Sequence, residues 1–158
     1  MSSAEFETIA REFHRRVAKT IWCTLATVDS RGRARTRIVH PVWDGATGWF
    51  GSRAGTPKLA HITEHPDVAL LYWDPDHEQV TIDARATVEP GTQACHDAWA
   101  ALQVPPPPYG YDPAPIWPGG PESDDFVPIR LAARRIELFG SPPLVWEAAP
   151  TAESGAAG

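Results

Sequence analysis

The chain has 158 residues, of which 42% are hydrophobic and 22% charged, with a net charge of −6. That length suits one domain with a real core, and the balance suits a soluble globular protein. No run approaches the roughly 20 apolar residues of a membrane helix, the first residues are charged rather than apolar, and an acidic chain is a poor nucleic-acid binder, so a cytoplasmic protein with no membrane and no nucleic-acid partner is expected.

Residues 4–19 predict an amphipathic helix, with Phe6, Ile9, Phe13 and Val17 at helical spacing. Ile21–Val28 predicts a first strand. Asp29-Ser30-Arg31-Gly32 supplies a turn, and Arg33–Trp43 a return strand. After a second turn at 44–48, Trp49-Phe50 begins a third strand. Thr56-Pro57 marks a helix start, with Thr as N-cap and Pro at the first helical position. Val68–Trp73 reads as a central apolar strand and Gln79–Val88 as a fifth, with Val80, Ile82, Ala84 and Ala86 on one face. Thr92–Gln103 predicts another helix. Nine of the 17 prolines fall between Pro105 and Pro128, which excludes regular helix there. Phe126–Phe139 predicts the sixth strand. Local hairpins dominate, so the expected fold is mainly β: a six-stranded antiparallel barrel with a few helices. Residues 1–145 read as a single domain, with an N-terminal helix over 1–20 and a Pro-rich loop over 104–127, and 146–158 read as a flexible tail.

Charge is uneven, +5 over residues 1–58 and −11 over the rest. A basic segment in an acidic chain points to a small anion. Arg33, Arg35 and Arg37 alternate along one strand face, where like charges repel unless an anion lies between them. Lys58 stands in the first turn of a helix, where the macrodipole disfavours a cation by roughly 0.3–1 kcal/mol and a bound phosphate would reverse the sign. His40 ends the basic strand and titrates near neutrality, which makes it the candidate for acid–base work, against the plainer reading of a hydrogen-bonded strand histidine. His61 and His65 have i, i+4 spacing but no third ligand, so they read as surface histidines and no metal is expected. Cys23 and Cys95 read as free thiols. The Pro-rich loop carries Tyr109, Tyr111, Ile116 and Trp117. These read either as an apolar substrate wall or as packing across a subunit interface.

The segment from Arg35 to His40, the Gly51-Ser52 turn, the run Thr56-Pro57-Lys58-Leu59-Ala60-His61-Ile62, the strand Val68–Trp73 and the pair Gln79-Val80 together resemble the FMN-binding split-barrel superfamily named after pyridoxamine 5′-phosphate oxidase. The resemblance implies a split barrel that binds FMN between two copies of a homodimer. It implies cofactor contacts from Arg35 to the phosphate, from the backbone of Thr36, Arg37, Ile38, Val39 and His40 to the ring edge, and from Gly51 and Ser52 to the ring or ribityl chain. It further implies Pro57 and Lys58 at the phosphate and Gln79 bonding from the neighbouring strand. Coenzyme F420 is the alternative cofactor, for which Arg31, Arg33, Arg35 and Arg53 would form an open basic groove. This chain departs from the oxidase pattern at His40, where the pattern has lysine, and at Pro57, where it has arginine. Past Val104 it lacks the basic residues that would hold pyridoxal phosphate, so pyridoxamine-phosphate oxidation is not expected. The expected function is hydride transfer between FMN or F420 and a small apolar substrate walled by Tyr109, Tyr111 and Trp117. The competing function is a non-catalytic cofactor carrier, a haem or flavin sensor, or a stress protein.

Overall fold

The computed structural model describes residues 3–150. The elements run α1 (Ser3–Thr20), β1 (Cys23–Val28), β2 (Ala34–Val39), β3 (Val42–Asp44), β4 (Thr47–Arg53), α2 (Pro57–Glu64), β5 (Asp67–Tyr72), β6 (Val80–Val88), α3 (Thr92–Gln103), β7 (Phe126–Leu138) and β8 (Leu144–Glu147). Every strand pairing is antiparallel, and the sheet order is β2-β1-β5-β6-β7-β4-β3 with β8 paired to β7.

Seven strands lie on that path where six were expected, because the run Arg33–Trp43 is two strands rather than one. Pro41 has no N–H for a ladder, so it interrupts the strand. The interruption has a large consequence. β2 lies at one end of the sheet and β3 at the other, yet only His40 and Pro41 separate them in sequence. Two residues therefore tie the sheet's ends together and curl it into a split barrel. β8 also carries the folded chain to Glu147, two residues past the boundary expected for a tail. Residues 151–158 of that tail lie outside the described residues.

Alternation sorts the side chains. Val68, Leu70 and Tyr72 of β5, and Val80, Ile82, Ala84 and Ala86 of β6, point inward and are buried. Phe6, Ile9, Phe13 and Val17 of α1 join the same core. β5 is central, as expected, but alternates rather than being buried on both faces. Its outer face belongs to an apolar surface: Ile38, Trp22, Trp73 and Leu71 are 61%, 58%, 53% and 41% exposed. The register puts Ile38, Thr24, Leu71 and Thr81 in one row across four strands.

α1 is held by charge as well as by its apolar stripe. Glu12 pairs with Arg15 at 2.7 Å and Arg16 at 2.8 Å, and Lys19 pairs with Asp74 at 2.8 Å and Glu78 at 2.9 Å. Arg16 also donates to the carbonyls of Gln79 and Phe139. The hydrogen bond that Glu12 accepts from Arg15 is the main cause holding the Glu12 carboxyl down at about 2, against an ordinary 4.5. A carboxyl depressed by folding stabilises the fold above its unfolded pKa, and that contribution disappears as pH falls through the folded value. The urea midpoint is thus expected to stay flat from neutrality to about pH 5 and to fall between pH 4.5 and about 2. Asp74 and Glu78 are depressed in the same sense. Glu12→Gln should therefore shrink the fall without abolishing it. An undiminished fall in that variant would remove Glu12 from the acid-labile contacts.

Candidate functional site

The seam between the sheet's ends opens into a pocket of about 450 Å³. β2 and the link after it contribute Ile38, Val39 and His40; β4 contributes Phe50 and Gly51; α2 contributes Lys58. Trp22, just before β1, forms one side. The Pro-rich loop closes the other with Pro108, Tyr111, Ile116 and Trp117. The wall is thus aromatic and apolar, with one lysine and one histidine.

The loop forms this wall because it is pinned at several points. The Tyr109 hydroxyl accepts the backbone N–H of Trp43 at 2.8 Å, and the Tyr109 carbonyl accepts His40 Nε2 at 2.6 Å. The Tyr111 N–H donates to the Leu102 carbonyl at 2.8 Å. Trp117 Nε1 donates to the Asp125 carbonyl at 2.9 Å, while the Asp125 carboxylate takes Arg53 at 2.6 Å. Tyr111 and Trp117 stand where the substrate wall was expected. Tyr109 does not: its ring is buried in the core, and it anchors the loop.

The basic residues separate into two groups. Arg35 Nε pairs with Asp29 Oδ2 at 3.0 Å, so its charge is already satisfied, and it does not line the pocket. Asp29 is held at about 2, chiefly by the backbone N–H of Arg33 and then by Arg35. Arg33 lies before β2, in the turn, and Thr36 is exposed on its outer face. Arg37 instead folds inward. It donates to Thr27 Oγ1 at 2.7 Å and to the Leu25 and Arg35 carbonyls, with His61 Nδ1 at 3.5 Å. Among the described residues neither Arg37 nor Lys58 has a carboxylate partner. Burial pushes the pKa of both down, and for Lys58 the Arg37 charge adds to it. Two half-buried cations near each other without a carboxylate partner are electrostatically unfavourable, a cost that a bound anion would relieve.

Hydroxyls complete this cradle. Ser52 Oγ lies 2.8 Å from Thr56 Oγ1, which also accepts Lys58 Nζ at 3.2 Å. Thr56 is the N-cap of α2 by position, but its side chain makes no capping bond because it is turned to Ser52 and Lys58. Pro57 is the first helical residue, is exposed and has no N–H to offer an anion. His61 is not the surface residue expected: it is half-buried, with Nδ1 3.0 Å from Thr27 Oγ1. It went unrecognised because its partners come from β1 and β2, far away in sequence. His65 stays half-exposed near Glu64, and no metal-type cluster occurs among the described residues.

Gly51 lines the pocket and also packs closely against the loop. A Cβ there would meet Trp117 at 2.7 Å and Phe126 at 2.8 Å, so glycine admits the loop's tryptophan. Gln79 lies before β6 on the outer face, 3.5 Å from Thr81 Oγ1, and does not reach this pocket. Trp22 and Phe50 were missed as wall residues. Trp22 is an exposed apolar residue, which sequence alone does not assign to a cavity.

At the seam of the split barrel, Lys58 thus joins an aromatic pocket to a group of hydroxyls and a second cation, Arg37, at the start of α2. The pyridoxamine 5′-phosphate oxidase family model matches residues 9–139, and the chain belongs to that family. It is 33% identical over 121 residues to dihydrophenazinedicarboxylate synthase of Pseudomonas chlororaphis, covering 75% of this chain and 52% of that one. The chain thus spans about half the length of that relative. A pyridoxamine 5′-phosphate oxidase-related FMN-binding protein of Nostoc punctiforme is similar in structure, with TM-score 0.62 and 20% identity over 89% of this chain and 87% of that one. So is a haem-binding protein of Mycobacterium smegmatis, with TM-score 0.68 and 19% identity over 93% and 58%. A protein of Clostridium acetobutylicum related to general stress protein 26 gives TM-score 0.69 at 10% identity over 93% and 96%.

Proposed function

We propose that this protein is an FMN-dependent oxidoreductase acting on a small, apolar, uncharged substrate. The observation that carries the reading is Lys58 in the wall of an apolar aromatic pocket, with Arg37 behind it near enough for its charge to lower the Lys58 pKa, and neither with a carboxylate partner among the described residues. A phosphate suits the cations and the Ser52 and Thr56 hydroxyls, and a ring system suits the pocket above. Arg37 and Lys58, rather than Arg35, hold the phosphate, while the backbone of Ile38, Val39 and His40 borders the ring. The bound flavin supplies the hydride chemistry. The chain's own residues bind, orient and exclude water: Tyr111, Ile116 and Trp117 shut the pocket from one side, Trp22 from the other. The similar chain from Pseudomonas chlororaphis is named for a dihydrophenazinedicarboxylate; the ring frame of such a compound suits the apolar wall here, whereas its carboxylates set it apart from the uncharged substrate proposed.

FMN is favoured over F420 by two contacts. Arg35 is paired with Asp29 and Arg53 with Asp125, so half of the groove suggested for an acidic tail is already engaged. We further propose a cytoplasmic homodimer. The exposed row of Ile38 and Leu71 flanked by Trp22 and Trp73 is a face suited to a second copy. Gln79 lies on that same side of the sheet and would meet the second copy's pocket rather than its own. A non-catalytic haem or flavin binder remains the second reading, favoured by the haem-binding protein of similar fold.

Fluorescence titration of the purified protein with FMN, F420 and haem separates these. FMN is expected to bind at least tenfold more tightly than F420. Tighter F420 binding would overturn the cofactor, tighter haem binding the oxidoreductase reading, and no binding by any of the three the whole assignment.

A further inference from the structure

The imidazole of His40 is fixed more firmly than a wall residue needs. Its ring centroid lies 5.0 Å from that of Trp22 and 4.6 Å from that of Tyr111, so it is held between two aromatic side chains. Its Nε2 is 2.6 Å from the Tyr109 carbonyl. A carbonyl can only accept, so Nε2 must carry the proton. In the neutral ring Nδ1 is then left with a free lone pair. Among the described residues Nδ1 makes no hydrogen bond, and the ring forms part of the pocket wall. Burial pushes the His40 pKa below its ordinary value, against the Tyr109 carbonyl, which pulls it up. Lys58 on α2 is the other basic group in the wall, and no carboxylate lines it. The Tyr109 and Tyr111 phenols are raised by burial and stay neutral.

We infer that the aromatic half of the pocket is a substrate subsite for a planar, uncharged aromatic ring bearing an N–H or O–H, which donates its hydrogen bond to His40 Nδ1. The inference rests on the proposed cofactor reading and adds to it the class of substrate. A polar acceptor set in an apolar wall selects strongly, because an analogue without the donor leaves it unpaired. The subsite also rejects carboxylates. Lys58 is the one cation in the wall, and on the proposed reading the cofactor phosphate would engage it.

Acridone and xanthone test this, since the two differ by an N–H against a ring oxygen in the same planar frame. Each is titrated into the FMN-loaded protein at pH 8. Acridone is expected to bind at least tenfold more tightly than xanthone, and acridone-4-carboxylate at least tenfold more weakly than acridone. The preference for acridone should vanish in His40→Phe, and in the unaltered protein it should shrink as pH falls through the His40 titration, when Nδ1 gains a proton. Equal affinities at pH 8, a preference that survives His40→Phe, or displacement of FMN by acridone would each overturn the inference. Should FMN fail to bind, the cofactor reading falls by itself. The same pair on the cofactor-free protein then decides the subsite, with equal affinities again overturning it.

Discussion

Gly110→Ala is expected to destabilise the protein by about 3 kcal/mol and to strip the pocket of its roof. A Cβ at Gly110 would run into the carbonyl oxygen of Pro105 and come within 3.2 Å of the Leu102 carbonyl. Both obstacles are backbone, one at the end of α3 and one at the start of the loop, so no side chain can turn aside. Tyr109 and Tyr111 flank the glycine and carry the bonds to His40, Trp43 and Leu102. Displacing them undoes the loop's anchors together. Gly32→Ala is the fitting control. Gly32 has φ +76° but open space around it, so it should lose only about 1 kcal/mol, from conformation alone. Urea midpoints and FMN affinity check both variants. Equal costs at the two glycines would show that the loop does not press on Pro105 as described.

Lys58→Ala is expected to weaken FMN binding by about 10- to 100-fold, the worth of a charge-assisted hydrogen bond to a buried anion. It should leave the cofactor-free protein as stable as before or slightly more so, because removing Lys58 relieves a half-buried cation that faces Arg37. Arg37→Ala should weaken binding comparably, but with a loss of stability too, since its bonds to Thr27 and Leu25 go with it. Arg35→Ala should change affinity by less than about threefold, because Asp29 already holds that guanidinium. If Arg35 proved as important as Lys58, the phosphate would have to sit at the other end of β2.

Much of this architecture was legible in the chain. The helices around Phe13 and Ala98, the β6 stripe of Val80, Ile82, Ala84 and Ala86, and the helix start at Pro57 all follow from local periodicity and punctuation. Lys58 and His40 were legible too, from a cation at the wrong helix end and a histidine closing a basic strand. What escaped was non-local. Arg35 and Arg37 have the same parity and differ only in what the fold sets beside them, a carboxylate from the preceding turn for one and β1 hydroxyl and carbonyl groups for the other. The break at Pro41 was visible as a proline, but not that it spans the two ends of a sheet. Tyr109 and Tyr111 look alike in a Pro-rich segment, and only the packing against Trp43 makes one an anchor and the other a wall.

The division of labour between the cradle and the roof bears on how such a protein changes over generations. The anion cradle is set by β1, β2, β4 and α2, whereas most of the roof comes from one connection between α3 and β7. That connection can be rewritten between its anchors at Tyr109 and Trp117 without shifting the register of any strand. Under the proposed function, editing this single stretch of chain exchanges the molecule acted upon while the residues assigned to the cofactor stay in place.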